Sequence, residues 1–182
     1  MLTREDYEGF VKSCSGGDVV SELPDKLDPI WCDEYYFTNP SAEIVLVNLD
    51  DSGSTFSYLF DIESERAIAA FGVPIYSKHR RDAARMAGHP LSAGSKFHRG
   101  HLIAHSIGGG TDINLAPQLG SLNIGQFRIL ERRVRKLAQD NVRCLYCVRL
   151  IYLSSSQTPS YFEQVVVHSN KAVDYALHQN WE

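Results

Sequence analysis

The 182-residue sequence predicts an α+β fold built around an antiparallel sheet. Short runs rich in Val, Ile, Phe and Tyr follow one another across acidic or glycine-containing turns, which makes neighbouring strands hairpin-linked. A long amphipathic segment at 121–140 and a short one near the N-terminus supply helices. With 43% hydrophobic and 22% charged residues and no apolar run of roughly the 20 residues that span a bilayer, the chain reads as one globular domain outside the membrane.

Residues 3–13, TREDYEGFVKS, predict a helix with Thr3 as N-cap, ending at the Ser-Gly-Gly that follows Cys14. The next stretch, SELPDKLDPIWCDEYYFTNPS, holds three prolines and reads as an irregular connection or small accessory element. Strands are expected at 42–49, 54–62 and 66–73, joined by DDSGS and ESE as a meander. RRDAARMAG, 80–88, predicts a short helix. In 121–140, Ser121 is placed to cap a helix whose Ile124, Phe127, Leu130, Val134 and Leu137 form one buried stripe. Arg128, Glu131, Arg132, Arg135 and Lys136 occupy its other face. Two strands, VRCLYCVRLIYL and SYFEQVVVHS, and a short C-terminal helix complete the chain.

The formal charge of −4 conceals a strong asymmetry. Residues 1–77 carry 4 Lys+Arg against 15 Asp+Glu, whereas residues 78–143 carry 12 against 4. A basic middle is what a polyanion-binding face requires, since phosphate contacts come largely from Lys and Arg. The N-terminus lacks the basic start and apolar core of a secretory signal, so the expected location is the cytoplasm or export by a leaderless route. Cys144 and Cys147 form a C-x-x-C inside an apolar strand, where residues three apart point to opposite faces; packing is their expected role.

The basic middle contains KFHRGHLIAHSIGGGTDINLAPQLGSLNIGQF, residues 96–127, which packs three histidines and two asparagines into a segment without regular apolar periodicity. His101 can take a proton from water near neutral pH. The preceding Arg99-Gly100 offers a phosphate-binding side chain and a close backbone approach. Asn123, at the start of the long helix, is a suitable oxygen ligand for a hard cation such as Mg²⁺. Glu131 lies eight residues on, about two turns along the same helix, and Arg135 follows four later.

Taken together, RGHLIA, GG, NLAPQ, L-N-x-G and L-E-x-x-x-R resemble the DNA/RNA non-specific endonucleases of the ββα-metal (His-Me finger) superfamily. The resemblance is strongest over 96–136 and extends to about 55–170. It implies a ββα-metal finger and a long helix that carries the metal ligand. It implies His101 as general base, Asn123 as direct metal ligand, Glu131 as the acid that holds a water of the ion, and Asn114 as a supporting asparagine. Arg99 and Arg135 fall on phosphate-contacting positions, and Arg128, His98 and His105 complete the set expected to face substrate. The implied cofactor is Mg²⁺, with Mn²⁺ or another divalent cation as substitutes. The implied substrate is DNA, with RNA as a second. The family signature usually begins with Asp where this chain has His98, which removes a carboxylate beside the general base.

Residues 41–182 are thus expected to form the nuclease domain, and residues 1–40 an acidic extension without a counterpart. Toxins delivered into rival cells occur in this superfamily, so that extension is a place for an inhibitor, immunity protein or delivery partner to dock; no membrane partner is expected. Two other readings stand beside this one. A catalytically weakened nucleic-acid-binding module would keep the basic face without turnover. A zinc site would place His98, His101 and His105 on one helical face, against which Gly100 argues.

Overall fold

Six strands, β1 (Ile44–Asp51), β2 (Ser54–Asp61), β3 (Arg66–Gly72), β6 (Cys144–Ile151), β7 (Tyr161–His168) and β8 (Val173–Gln179), form one sheet in the order β1-β2-β3-β6-β7-β8. Every neighbouring pair is antiparallel. Strands β4 (Phe97–His101) and β5 (Leu115–Leu119) form a separate two-stranded ribbon. The computed structural model describes residues 1–51, 54–78, 95–110 and 112–182. The helix expected at 80–88 lies outside the described residues.

Helix α1 (Arg4–Ser13) begins where the sequence predicts. Thr3 Oγ1 accepts from the Asp6 amide at 3.3 Å while Asp6 Oδ2 accepts from the Thr3 amide at 2.8 Å, a reciprocal capping box. The segment read as irregular is instead helix α2 (Val19–Thr38), with Pro24 and Pro29 inside it. Each interior proline removes one backbone hydrogen bond and costs about 3 kcal/mol. Val20, Leu23, Leu27, Trp31 and Tyr35 are all buried on one stripe, and each such side chain contributes about 1.5–3 kcal/mol. Five of them outweigh two prolines. Trp31 seats its indole 5.6 Å from the Phe71 ring of β3.

At strands β6 and β7 both faces of the large sheet are covered. On β7 the Glu163 carboxylate receives the Tyr7 hydroxyl of α1. The next side chain, Gln164, points the other way and donates to the Tyr146 hydroxyl at 2.7 Å and the Phe127 carbonyl at 3.3 Å. Because neither face meets water, β6 and β7 are almost continuously buried, Cys144 and Cys147 included, without alternation. Helices α1 and α2 belong to the same hydrophobic cluster as the strands, so residues 1–40 cover one face of the sheet. Among the described residues, no helix is long and apolar enough to cross a membrane.

Two further expectations change. The C-terminal segment is strand β8, not a helix. The chain reverses at Lys171, which adopts a positive φ of 68°, and Val173–Gln179 then pairs along β7. The long helix at 121–140 is divided into α3 (Gly120–Ile124) and α4 (Phe127–Gln139). The break falls at Gly125, where a Cβ would lie 2.5 Å from the Ser121 carbonyl oxygen. Ser121 therefore sits inside the first turn and caps nothing, and Ile124 is 58% exposed while Phe127, Leu130 and Val134 are buried. Asn180, 1% exposed, ties the ribbon to the sheet: it accepts from the Leu119 amide at 2.8 Å and donates to the Pro117 and Pro159 carbonyls at 3.0 and 2.8 Å.

Candidate active site

The ribbon and the two helices after it meet at a polar cavity of about 280 Å³. His101, the last residue of β4, enters it beside Ala104 and Ser106; α3 contributes Asn123; and α4 contributes Arg128, Glu131, Arg132 and Arg135. On α4, Arg128 and Arg132, and Glu131 and Arg135, are each four apart, so the four residues share one face, beside the buried stripe of Phe127, Leu130 and Val134. Three guanidinium groups against one carboxylate make the cavity positive, which suits a phosphodiester. Larger cavities of about 390 and 500 Å³ lie elsewhere on the surface, with mainly apolar linings, and their buried arginines Arg149 and Arg66 are engaged with Glu34 and with Asn39 respectively.

The structure thus brings His101, Asn123, Glu131, Arg128 and Arg135 together, although Asn123 is on the short helix before the break, not on the long one. The break lets Asn123 and Glu131 approach one cavity from different helices. His98 adjoins it differently: Asn123 Nδ2 lies 3.2 Å from His98 Nδ1. With the amide nitrogen donating to a neutral imidazole, Asn123 Oδ1 remains for a cation. His98, which stands where the resembling family usually has aspartate, therefore touches the Asn123 amide.

Gly100 has a packing role within the ribbon. A Cβ there would meet the Gln118 side chain at 2.3 Å, so the glycine makes room for a neighbour in the ribbon. Asn114 is wholly buried and outside the cavity. Its Oδ1 accepts from the Ile103 amide at 2.9 Å, and its Nδ2 donates to the Ile103 and Gly110 carbonyls at 2.8 Å each. It holds the loop that carries Ala104 and Ser106. Arg99 lies on the ribbon opposite Pro117 and is not among the cavity's lining residues. His105, in a 3-10 turn with Nδ1 3.3 Å from the Gly109 carbonyl, lines a neighbouring cavity.

His98 and His101 occupy a strand and His105 a turn, so the helical face required by a three-histidine zinc site does not exist. Among the described residues no group of three His, Cys, Asp or Glu converges as a metal cage. The sequence reading missed Ser106 and Arg132 as cavity residues. Arg132 was open to discovery through its spacing of four from Arg128 and three from Arg135; Ser106 carries no local signal.

A solved structure of Sda1 nuclease with a bound zinc ion shares this fold, with 16% identity and a TM-score of 0.52 over 76% of this chain and 84% of that one. An extracellular nuclease and an extracellular endonuclease align at 16% and 17% identity with TM-scores of 0.49; they cover 78% of this chain and 87% and 81% of their own. No curated protein matches the chain. Residues 71–171, more than half of the sequence, match the model of one family. On that match the chain belongs to the DNA/RNA non-specific endonucleases.

Proposed function

We propose that this protein hydrolyses phosphodiester bonds of DNA, and also of RNA, with a divalent cation, using the cavity between ribbon and α4 as its active site. The observation that carries the reading is the convergence of His101, Asn123, Glu131 and three arginines from separate elements in one cavity. His101 accepts the proton of the attacking water. Arg128, Arg132 and Arg135 hold the phosphate and offset its charge, and such backbone contacts carry little sequence information. Asn123 and Glu131 offer hard oxygen donors and too few of them for a closed cage, which fits an ion that keeps most of its waters, as Mg²⁺ does. Asn123 would hold it directly and Glu131 through water. The ion would supply charge stabilisation at the departing 3′-oxygen.

Use as an antibacterial toxin, with an inhibitor or delivery partner on residues 1–40, is a narrower form of the same reading. Its support is the acidity of the first third of the chain. The apolar faces of α1 and α2 are already committed to the core, so a partner would bind their outer, charged faces.

The test is cleavage of supercoiled plasmid by the parent and by His101→Ala, both shown to be folded by circular dichroism, with Mg²⁺, Mn²⁺, Zn²⁺ or EDTA. Nicking by the parent alone, and only with a divalent ion, is expected. Retained DNA binding without cleavage under every ion would refute the enzyme and favour a binding module.

A further inference from the structure

Beside the catalytic cavity lies a second one of about 400 Å³. Its own walls include Tyr76, Lys78 and His105, while Ala104, Ser106 and Arg135 line both cavities. The two therefore adjoin, with Arg135 between them. The chain leaving β3 is fastened here by two backbone bonds, Ile75 amide to Ile107 carbonyl at 3.3 Å and Ser77 amide to Ser106 carbonyl at 3.0 Å.

Tyr76 is held from the opposite side as well. The Arg135 guanidinium sits 5.6 Å from its ring centroid. Hydrogen bonding from Arg135 and then Gln139 also draws the phenol below its ordinary pKa. The ring is nevertheless partly exposed, and Lys78, two residues on, is exposed. A fixed aromatic ring, a lysine and an arginine shared with the phosphate cavity are the parts that bind one nucleotide of a single strand: a base stacks on the ring and cations take the flanking phosphates.

We infer that this second cavity is a subsite for the nucleotide adjacent to the scissile phosphate, with its base against Tyr76 and its outer phosphate at Lys78. The inference rests on the endonuclease reading and deepens it. A base can reach Tyr76 only when unpaired, so single-stranded or locally open nucleic acid is the preferred substrate. Stacking accepts every base, in keeping with cleavage that ignores sequence.

The experiment compares kcat/KM on single-stranded oligonucleotides of two to eight nucleotides for the parent, Tyr76→Leu, Tyr76→Phe and Lys78→Ala. The parent gains rate as the strand lengthens. Tyr76→Leu loses roughly tenfold on the octanucleotide and as much on the dinucleotide, which already places that base beside its one phosphate, but much less on strands where the base is replaced by an abasic site, as expected for one stacked base. Tyr76→Phe keeps most of the parent's rate. Lys78→Ala makes the salt dependence of octanucleotide affinity shallower, by about 0.7 in the log–log slope for one phosphate contact. The same Tyr76→Leu loss on abasic as on intact strands, or no change in salt slope, would overturn the subsite and leave the nuclease standing. No cleavage of any length by the parent would overturn both.

Discussion

Replacing Asn114 by alanine removes a side chain that closes the 102–110 loop from inside. Three hydrogen bonds go with it, one from the Ile103 amide and one each to the Ile103 and Gly110 carbonyls. The bond from the Leu102 amide to the Asn114 backbone carbonyl, 2.9 Å, survives. A buried polar group left without its partner costs about 1–3 kcal/mol, and loop carbonyls recover part of that from water. About 3–5 kcal/mol is therefore expected for the three together. In a chain of this size each kcal/mol moves Tm by about 2–4 °C, which makes the expected fall roughly 6–20 °C. Asn114→Asp keeps the acceptor but turns a carboxylate toward two carbonyls, and should cost at least as much. Calorimetry of the three proteins reads this directly. Hydrogen exchange at temperatures where Asn114→Ala is still folded should show faster exchange confined to the loop, and cleavage should fall because that loop carries Ala104 and Ser106 of the cavity wall. A Tm within about 2 °C of the parent would refute the view that Asn114 acts by closing the loop.

His98→Ala removes the acceptor for the Asn123 amide, and the loss of one hydrogen bond of about 1 kcal/mol should weaken Mn²⁺ binding roughly fivefold. His98→Asn should restore it; an unchanged Mn²⁺ titration by paramagnetic resonance in the alanine variant would show that the contact is idle. Glu163 supplies a pH prediction. Burial, only partly opposed by Arg149, holds its pKa above the ordinary 4.5. The folded protein binds that proton more tightly than the unfolded chain, so the contribution is full below about 4.5 and is lost as pH rises through the raised value. Glu163→Gln should flatten this decline in Tm, and parallel curves for the two proteins across the same pH range would contradict the assignment.

Much of the fold is written in short-range signals. The Thr3–Asp6 cap spans three residues, and the β1–β2–β3 meander needs only strand-forming runs and tight turns, so both are legible in the chain. The grouping of His101, Asn123, Glu131 and Arg135 is equally legible, because the residue types and their spacing form a motif, and the four line one cavity. The prolines of α2 mislead because a local backbone rule is overridden by Leu23, Leu27 and Trp31, which are buried against a sheet formed later in the sequence. At Gly125 a helical apolar pattern runs straight through a break whose backbone leaves no room for a Cβ.

Other features depend on contacts between distant parts of the chain. Asn180 clamps Leu119 from 61 residues away, His98 meets Asn123 across 25, and Tyr76 reaches Arg135 from another element. None of these pairs shares a strand or a helix, so no periodicity relates them. Local propensity and motif spacing thus specified the class of fold and most of the residues that line the polar cavity. Their mutual approach, the second cavity and the partner of Asn123 arose only when sheet, ribbon and helices packed, because side-chain contact is a property of the folded distance and not of the distance along the chain.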